Sequence, residues 1–265
     1  MDLVPKLWRP VLTTSEPEVP AERRLDTGER VYAIGDIHGQ ARLLRELLDL
    51  IEADLAARPV DHPYAVFLGD YVDRGVGTAD VIEWLSHDPL PGVACDFLMG
   101  NHELVMLRAI EDHALFDYWM RLGGTETLVS YGVPLFSAKG GPASSEELMT
   151  AFAEALPPHH LAFLKSLKLS ARHGGYFFAH AGVRPGVSLD EQASDDLLTI
   201  RKDFHKARGS LGAVVVHGHT PVREPEILEN RINVDTGAYA TGRLSAAVLE
   251  GNEVRLIVAE KMGCM

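Results

Sequence analysis

The chain is poor in cysteine, in aromatic side chains and in positive charge, and each shortage closes a class of function. Cys95 and Cys264 are its only cysteines, far apart and without a pairing pattern, so neither a disulfide framework nor a cysteine zinc site is expected. Aromatic residues make up 7% of the sequence, too few to announce a base-stacking pocket. Lys and Arg total 25 against 38 Asp and Glu, a formal net charge of -13. That balance argues against nucleic-acid binding and against an anionic membrane surface, because both need a basic footprint. Any anionic substrate must therefore be drawn by a local positive centre. No apolar run approaches the length of a membrane span, and the N-terminus lacks a continuous apolar stretch of the signal-peptide kind. The expected location is cytoplasmic; the sequence is silent on oligomeric state.

What the chain does have is core. With 46% of its 265 residues hydrophobic and 24% charged, it is expected to be globular. Residues 1–29 read as an arm, punctuated by Pro5, Pro10, Pro17 and Pro20 and kept polar by Glu16, Glu18, Glu22, Arg23 and Arg24. Residues 30–265 read as one α/β domain. Val31 to Ile34 is a strand, and the helix that follows places Leu43, Leu47, Ile51 and Leu55 on one face. Tyr64 to Asp70 is a second strand, Thr78 to Ser86 a helix, and Val93 to Asn101 a third strand, an alternation that indicates βαβ units and a parallel sheet. Residues 102–170 read as mostly helical, with a surface loop at Lys139 to Ser145. Further strands follow at Tyr176 to His180, Ala213 to His219 and Ile232 to Gly237. The end reads as a hairpin turning at Gly251-Asn252.

Polar residues sit at the ends of these strands. The first ends in Asp36 and His38, the second in Asp70, the third in Asn101 and His102, the fourth in His180, the fifth in His217 and His219. In open α/β sheets the ligand crevice lies beyond the carboxyl ends of the strands, so all can converge. Turn chemistry accounts for Asp36 alone, but it has no reason to choose His180 and His219. Carboxylate, imidazole and amide oxygen without thiolate suit manganese, iron or zinc. Two such ions, balanced by Asp36, Asp70 and one hydroxide, leave a net charge of about +1, which supplies the local positive centre. Within a Debye length, about 8 Å, that charge outweighs a distributed acidic surface.

The motifs GDIHG (35–39), GDYVDRG (69–75), GNHE (100–103), HAG (180–182) and HGHTP (217–221) resemble, in this order and spacing, the calcineurin-like metallophosphoesterases. Within that family they are most similar to the phosphoprotein phosphatase group of serine/threonine phosphatases and its bacterial members. The resemblance spans roughly residues 30–260. It implies a β-sandwich of two mixed sheets flanked by helices. It also implies Asp36 and His38 on a first metal, Asp70 bridging, and Asn101, His180 and His219 on a second, with manganese the leading ion and iron or zinc the alternatives. Many family members carry a second His after GH that serves the first metal; here Gly218-His219-Thr220 is followed by Pro221, as in the phosphatase group. His217 would share a face with His219 in an extended strand, as a ligand or as a hydrogen-bonded neighbour.

By the same resemblance a metal-bridging hydroxide attacks phosphorus directly, His102 is the general acid, Asp73 orients it, and Arg74 and Arg201 clamp the phosphate oxygens. Arg201 rests on a looser match, in LLTIRKDF. The expected partner is a phosphoprotein or a small phosphorylated substrate, so the leading expectation is a serine/threonine protein phosphatase. The alternative is phosphoanhydride hydrolysis, as in the symmetrical diadenosine tetraphosphatases, whose bacterial members often lack the acidic residue before the second-motif Arg. A nonenzymatic scaffold is disfavoured by the intact ligand set. Among the remaining residues, His159-His160 follow Pro157-Pro158 and read as a solvated loop rather than a metal site, and His62, His87 and His113 as surface or capping residues. Lys202, His205, Lys206 and Arg208 read as a solvated helix face, with a place on the substrate rim as the alternative, Asp235 as a structural turn, and Tyr239 as a residue of the site rim.

Overall fold

The computed structural model describes residues 24–138 and 140–261. Residues 1–23, most of the expected arm, lie outside the described residues, as do Lys139 and the side chain of His113. The folded chain is already anchored at Leu25, which is buried and donates its N–H to the Gly251 carbonyl.

Among the described residues, ten strands form two five-stranded sheets. They are β1 (Glu29–Ile34), β2 (His62–Phe67), β3 (Ala94–Phe97), β4 (Ser170–His173), β5 (Tyr176–Ala179), β6 (Val214–His217), β7 (Glu226–Ile227), β8 (Arg231–Asn233), β9 (Arg243–Glu250) and β10 (Glu253–Glu260). The first sheet runs β10-β9-β1-β2-β3, the second β4-β5-β6-β8-β7. Each is mixed: β1, β2 and β3 are parallel and β9 joins antiparallel, while β5, β6 and β8 are parallel and flanked by antiparallel β4 and β7. Strands β1, β5 and β6 are buried along nearly their whole length, covered on both faces, which is why they read as unbroken apolar runs. Along β1, Val31 and Ala33 pack between the sheets with Phe178 and Val216, while Tyr32 and Ile34 face the helices with Leu43, Leu47 and Ile51.

The helices are α1 (Ala41–Ala57), α2 (Thr78–Leu85), α3 (Asn101–Ala109), α4 (His113–Trp119), α5 (Thr125–Ser130), α6 (Ser145–Ala155), α7 (Pro158–Ser166), α8 (Ser194–Thr199), α9 (Lys202–Lys206) and α10 (Ala238–Thr241). No helix among the described residues is long and apolar enough to cross a membrane.

Three expectations change. The third strand stops at Phe97, so Asn101 begins α3 instead of ending a strand, with Gly100 as its N-cap. His159 and His160 lie on α7, not in a loop: Pro158 takes the first turn, where a missing N–H costs nothing, and His160 is buried. The strand carrying His217 ends there, and His219 follows with φ 65°, so the two do not alternate along one extended face. His217 Nδ1 instead donates to the Gly218 carbonyl, and its ring packs on Phe204 at 4.9 Å.

Candidate metal centre

The motifs meet at one end of the sandwich. Asp36 and His38 follow β1, Asp70 follows β2, His180 follows β5 and His219 follows β6, while Asn101 and His102 open α3. Holding these side chains inward bends the backbone. Among the described residues, positive φ outside glycine occurs at His38 (47°), Asp70 (51°), Asp73 (70°), Arg74 (64°) and His219 (65°). All five are residues that the motifs single out. A left-handed residue with a side chain costs about 1 kcal/mol or more, so among the described residues this strain is concentrated at the site. Two motif glycines are explained by contact instead: a Cβ on Gly100 would meet Asp70 Oδ1, and one on Gly218 would meet Asp36 Oδ1.

Glu103, which sequence reasoning passed over, holds the second motif in place. Its carboxylate accepts N–H groups from Asp70 (2.9 Å), Gly100 (2.9 Å), Tyr71 (2.8 Å) and Val72 (3.1 Å). It stands at the third position of α3 behind a Gly N-cap, where such residues satisfy orphan donors. The E of GNHE was the available signal.

At this end of the fold, metal-capable donors among the described residues form two groups that share Asp70: His38, Asp70 and His102, and Asp70, His180 and His219, with donor atoms in each within 4.8 Å of one another. Asp70 divides its oxygens between them. Oδ2 lies 3.5 Å from His38 Nε2, and Oδ1 lies 3.4 Å from His180 Nε2. Burial would raise the Asp70 carboxyl, yet His180, His102 and His38 around it hold it below the usual carboxylate range.

These donors fit a cation. His38 Nδ1 donates to the Val72 carbonyl at 2.8 Å and His180 Nδ1 to the Leu68 carbonyl at 2.9 Å. A carbonyl only accepts, so each Nδ1 carries the ring proton and each Nε2 turns a lone pair inward. His180 Nε2 then faces Asn101 Oδ1 at 3.1 Å, another acceptor, and His219 Nδ1 at 3.1 Å. His219 Nε2 is buried without a partner among the described residues. Burial pushes His38 and His219 down to about 3, so both rings are neutral at pH 7. Asp36, expected on the first ion, is in neither donor group. It accepts the His219 N–H at 3.0 Å. Burial, Asp235 and Asp70 push it well above the usual carboxylate range, a penalty that a bound cation would reverse.

His102 belongs to the first group by distance, but both its nitrogens are engaged. Nδ1 lies 2.7 Å from Asp73 Oδ2, and Nε2 accepts from Arg74 at 3.1 Å. Burial lowers the imidazole, but Asp70 and Asp73 outweigh it and hold the ring above its ordinary value. Asp73 is itself fixed by Trp119 Nε1 (2.9 Å) and Thr127 Oγ1 (2.8 Å), from helices 46 and 54 residues downstream. A π-turn at Met120–Gly124 presents the Gly123 carbonyl to the Arg74 N–H at 3.1 Å. Trp119, Gly123 and Thr127 carried no motif signal.

At the mouth, the Arg74 guanidinium lies 4.5 Å over the Tyr239 ring, which stands nearly perpendicular to the His38 ring with centroids 5.3 Å apart. Tyr239 is 39% exposed. Arg201 is exposed and reaches Thr220, the neighbour of His219, at 3.4 Å. Asp235 forms the expected turn, accepting the Gly237 N–H at 2.8 Å. His217 is not part of either donor group.

Residues 29–259 match the family described as calcineurin-like phosphoesterase. The chain is 27% identical over 231 residues to the asymmetrical bis(5'-nucleosyl)-tetraphosphatase PrpE of Halalkalibacterium halodurans, covering 80% of this chain and 87% of that one. The PrpE of Anoxybacillus flavithermus is likewise 27% identical, over 233 residues, with the same coverage of 80% and 87%. Among solved structures, a protein provisionally assigned as a diadenosine tetraphosphatase superposes with a TM-score of 0.60 at 22% identity, covering 91% of this chain and 96% of that one. A point mutant of a cold-active protein tyrosine phosphatase gives a TM-score of 0.59 at 15% identity, covering 96% of this chain and 89% of that one. These two likenesses concern the fold.

Proposed function

The chain belongs to the calcineurin-like phosphoesterase family, and we propose that it hydrolyses a phosphoanhydride bond of a dinucleoside polyphosphate. As a metallophosphoesterase it works with divalent metals; manganese is the ion proposed, with iron or zinc as alternatives for the same oxygen and nitrogen donors. In this reading Asp36 and His38 hold one ion, Asn101, His180 and His219 the other, and Asp70 both. Two ions so held supply Lewis acidity to a water nucleophile and neutralise phosphoryl charge.

The observation that carries the substrate assignment is Tyr239 at the mouth. A half-exposed ring backed by Arg74 and His38 offers a face for a nucleobase, which the low aromatic content had argued against. The named activity of the PrpE relatives supports the same class. A protein phosphatase is the second reading, favoured by the His102–Asp73 pair, a device for protonating an alkoxide.

Water forms the new P–O bond, the anhydride P–O bond breaks, and a nucleotide phosphate leaves with the electron pair. Arg74 now donates to His102 Nε2; a bound phosphate draws the guanidinium away and frees that nitrogen to carry a proton toward the leaving oxygen. Arg201 closes on the phosphate from the side of Thr220. The test is kcat/KM for diadenosine tetraphosphate against a phosphoserine or phosphothreonine peptide, with the same manganese loading. A preference of tenfold or more for the dinucleotide, about 1.4 kcal/mol of discrimination, is expected. The opposite preference selects the protein phosphatase.

A further inference from the structure

We propose that Glu83, His159 and His160 form a second metal site, separate from the dinuclear centre, for one zinc-class divalent ion. Glu83 lies in the last turn of α2, and the two histidines are consecutive residues in the first turn of α7. Consecutive residues on a helix point about 100° apart, since 3.6 residues make a turn. Here both Nε2 atoms nonetheless turn onto one carboxylate oxygen, Glu83 Oε2, at 2.9 Å from His159 and 2.8 Å from His160. The three donor atoms lie within 4.8 Å of one another.

The site has the features that separate a ligand set from a surface ion pair. His160 is only 3% exposed, and burial holds it below the ordinary imidazole range, hence neutral at pH 7. Its far nitrogen, Nδ1, is 2.9 Å from the Tyr131 hydroxyl, an outer partner of the kind that orients metal-binding imidazoles. Glu83 is ionised, its carboxyl held down to about 2 by hydrogen bonds from His159 and His160. Glu83 and His159 are 49% and 51% exposed, which leaves room for water to complete a tetrahedral shell. Two imidazoles and one carboxylate is a donor set that zinc accepts.

The change required is small. A carboxylate only accepts, so both Nε2 atoms now carry protons. On metal binding the His160 proton passes to Nδ1, where the Tyr131 hydroxyl rotates from donor to acceptor, and the His159 proton passes to its own Nδ1 through the solvent that reaches this half-exposed ring. Donors about 2.0–2.1 Å from a tetrahedral ion stand about 3.4 Å apart, so each N–O pair opens by about half an ångström. The ion would tie α7 to α2, and α2 follows directly from the loop that carries Asp73 and Arg74.

The test counts zinc. The full-length protein, saturated with Zn2+ and examined by equilibrium dialysis and elemental analysis, should bind three ions per chain. His159→Ala and Glu83→Gln should each bind two, and both should melt like the wild type in chelator, since both residues are half exposed. Tyr131→Phe should bind the third ion about 10- to 100-fold more weakly. Two ions in the wild type, or three with unchanged affinity in both His159→Ala and Glu83→Gln, overturns the site. The readout is independent of activity, so it is separable from the substrate assignment.

Discussion

Asp73 Oδ2 holds His102 Nδ1 at 2.7 Å, and its other oxygen is committed to Trp119 and Thr127. The imidazole is thereby fixed with Nε2 as its working atom, beside Arg74. His102→Asn should keep its metals and lose about 10²- to 10⁴-fold in kcat on an alkyl phosphate, the usual worth of a general acid. The loss should shrink on p-nitrophenyl phosphate and on diadenosine tetraphosphate, whose leaving groups need less protonation. Equal losses on all three would remove the proton-donor role.

Asp70 faces one donor group with each oxygen. Asp70→Asn is expected to damage occupancy of both metal positions, whereas Asn101→Ala should weaken the second alone. Elemental analysis of the purified variants checks this, and two tightly held manganese ions in Asp70→Asn would refute the bridging role.

Tyr239 is offered as a base platform. Base–aromatic stacking is worth about 1–3 kcal/mol by alanine substitution, so Tyr239→Ala should raise KM for diadenosine tetraphosphate by about 5- to 150-fold. For p-nitrophenyl phosphate, which has no base, the change should be several times smaller, and Tyr239→Phe should behave like the wild type. A uniform rise for both substrates would assign the ring to holding Arg74 alone.

Asp96 on β3 accepts from His173 on β4 at 3.0 Å and from Lys168 at 2.5 Å, and so joins the two sheets at one edge. Hydrogen bonds from His173 and Lys168, against a smaller opposing effect of burial, lower its carboxyl from 3.8 to about 2. A depressed carboxylate stabilises the fold above its unfolded value, and that contribution fades as pH falls from about 4 to 2. Asp96→Asn should therefore cost about 1–2 kcal/mol at pH 7, allowing for partial exposure, with the difference gone near pH 2. Urea titrations of both proteins across this range provide the measurement.

Local chemistry settled much of this protein before folding was considered. The apolar runs of β1, β5 and β6 are continuous because those strands are covered on both faces, and the residues at strand ends are legible because a strand delivers its last side chains to one edge. Hence Asp36, His38, Asp70, His180 and His219 could be named from sequence, as could the hairpin of β9 and β10. β7, of two residues, is too short to show a pattern, and β4, which reads Ser-Ala-Arg-His and is only part-buried, has no apolar run to be seen. Side-chain direction was equally hidden, because it depends on φ: His219 lies in the left-handed region, and that removed His217 from its face. Partnerships across long separations were hidden as well. Trp119 and Thr127 reach Asp73 only because a π-turn and two helices fold over the second motif. His159 and His160 looked like loop residues until α7 packed against α2 and brought both to Glu83. The sequence by itself determined which metal-capable side chains stand at the strand ends. Tertiary packing decided which groups orient and charge them, because a hydrogen bond depends on distances across the fold that neighbours in the chain do not set.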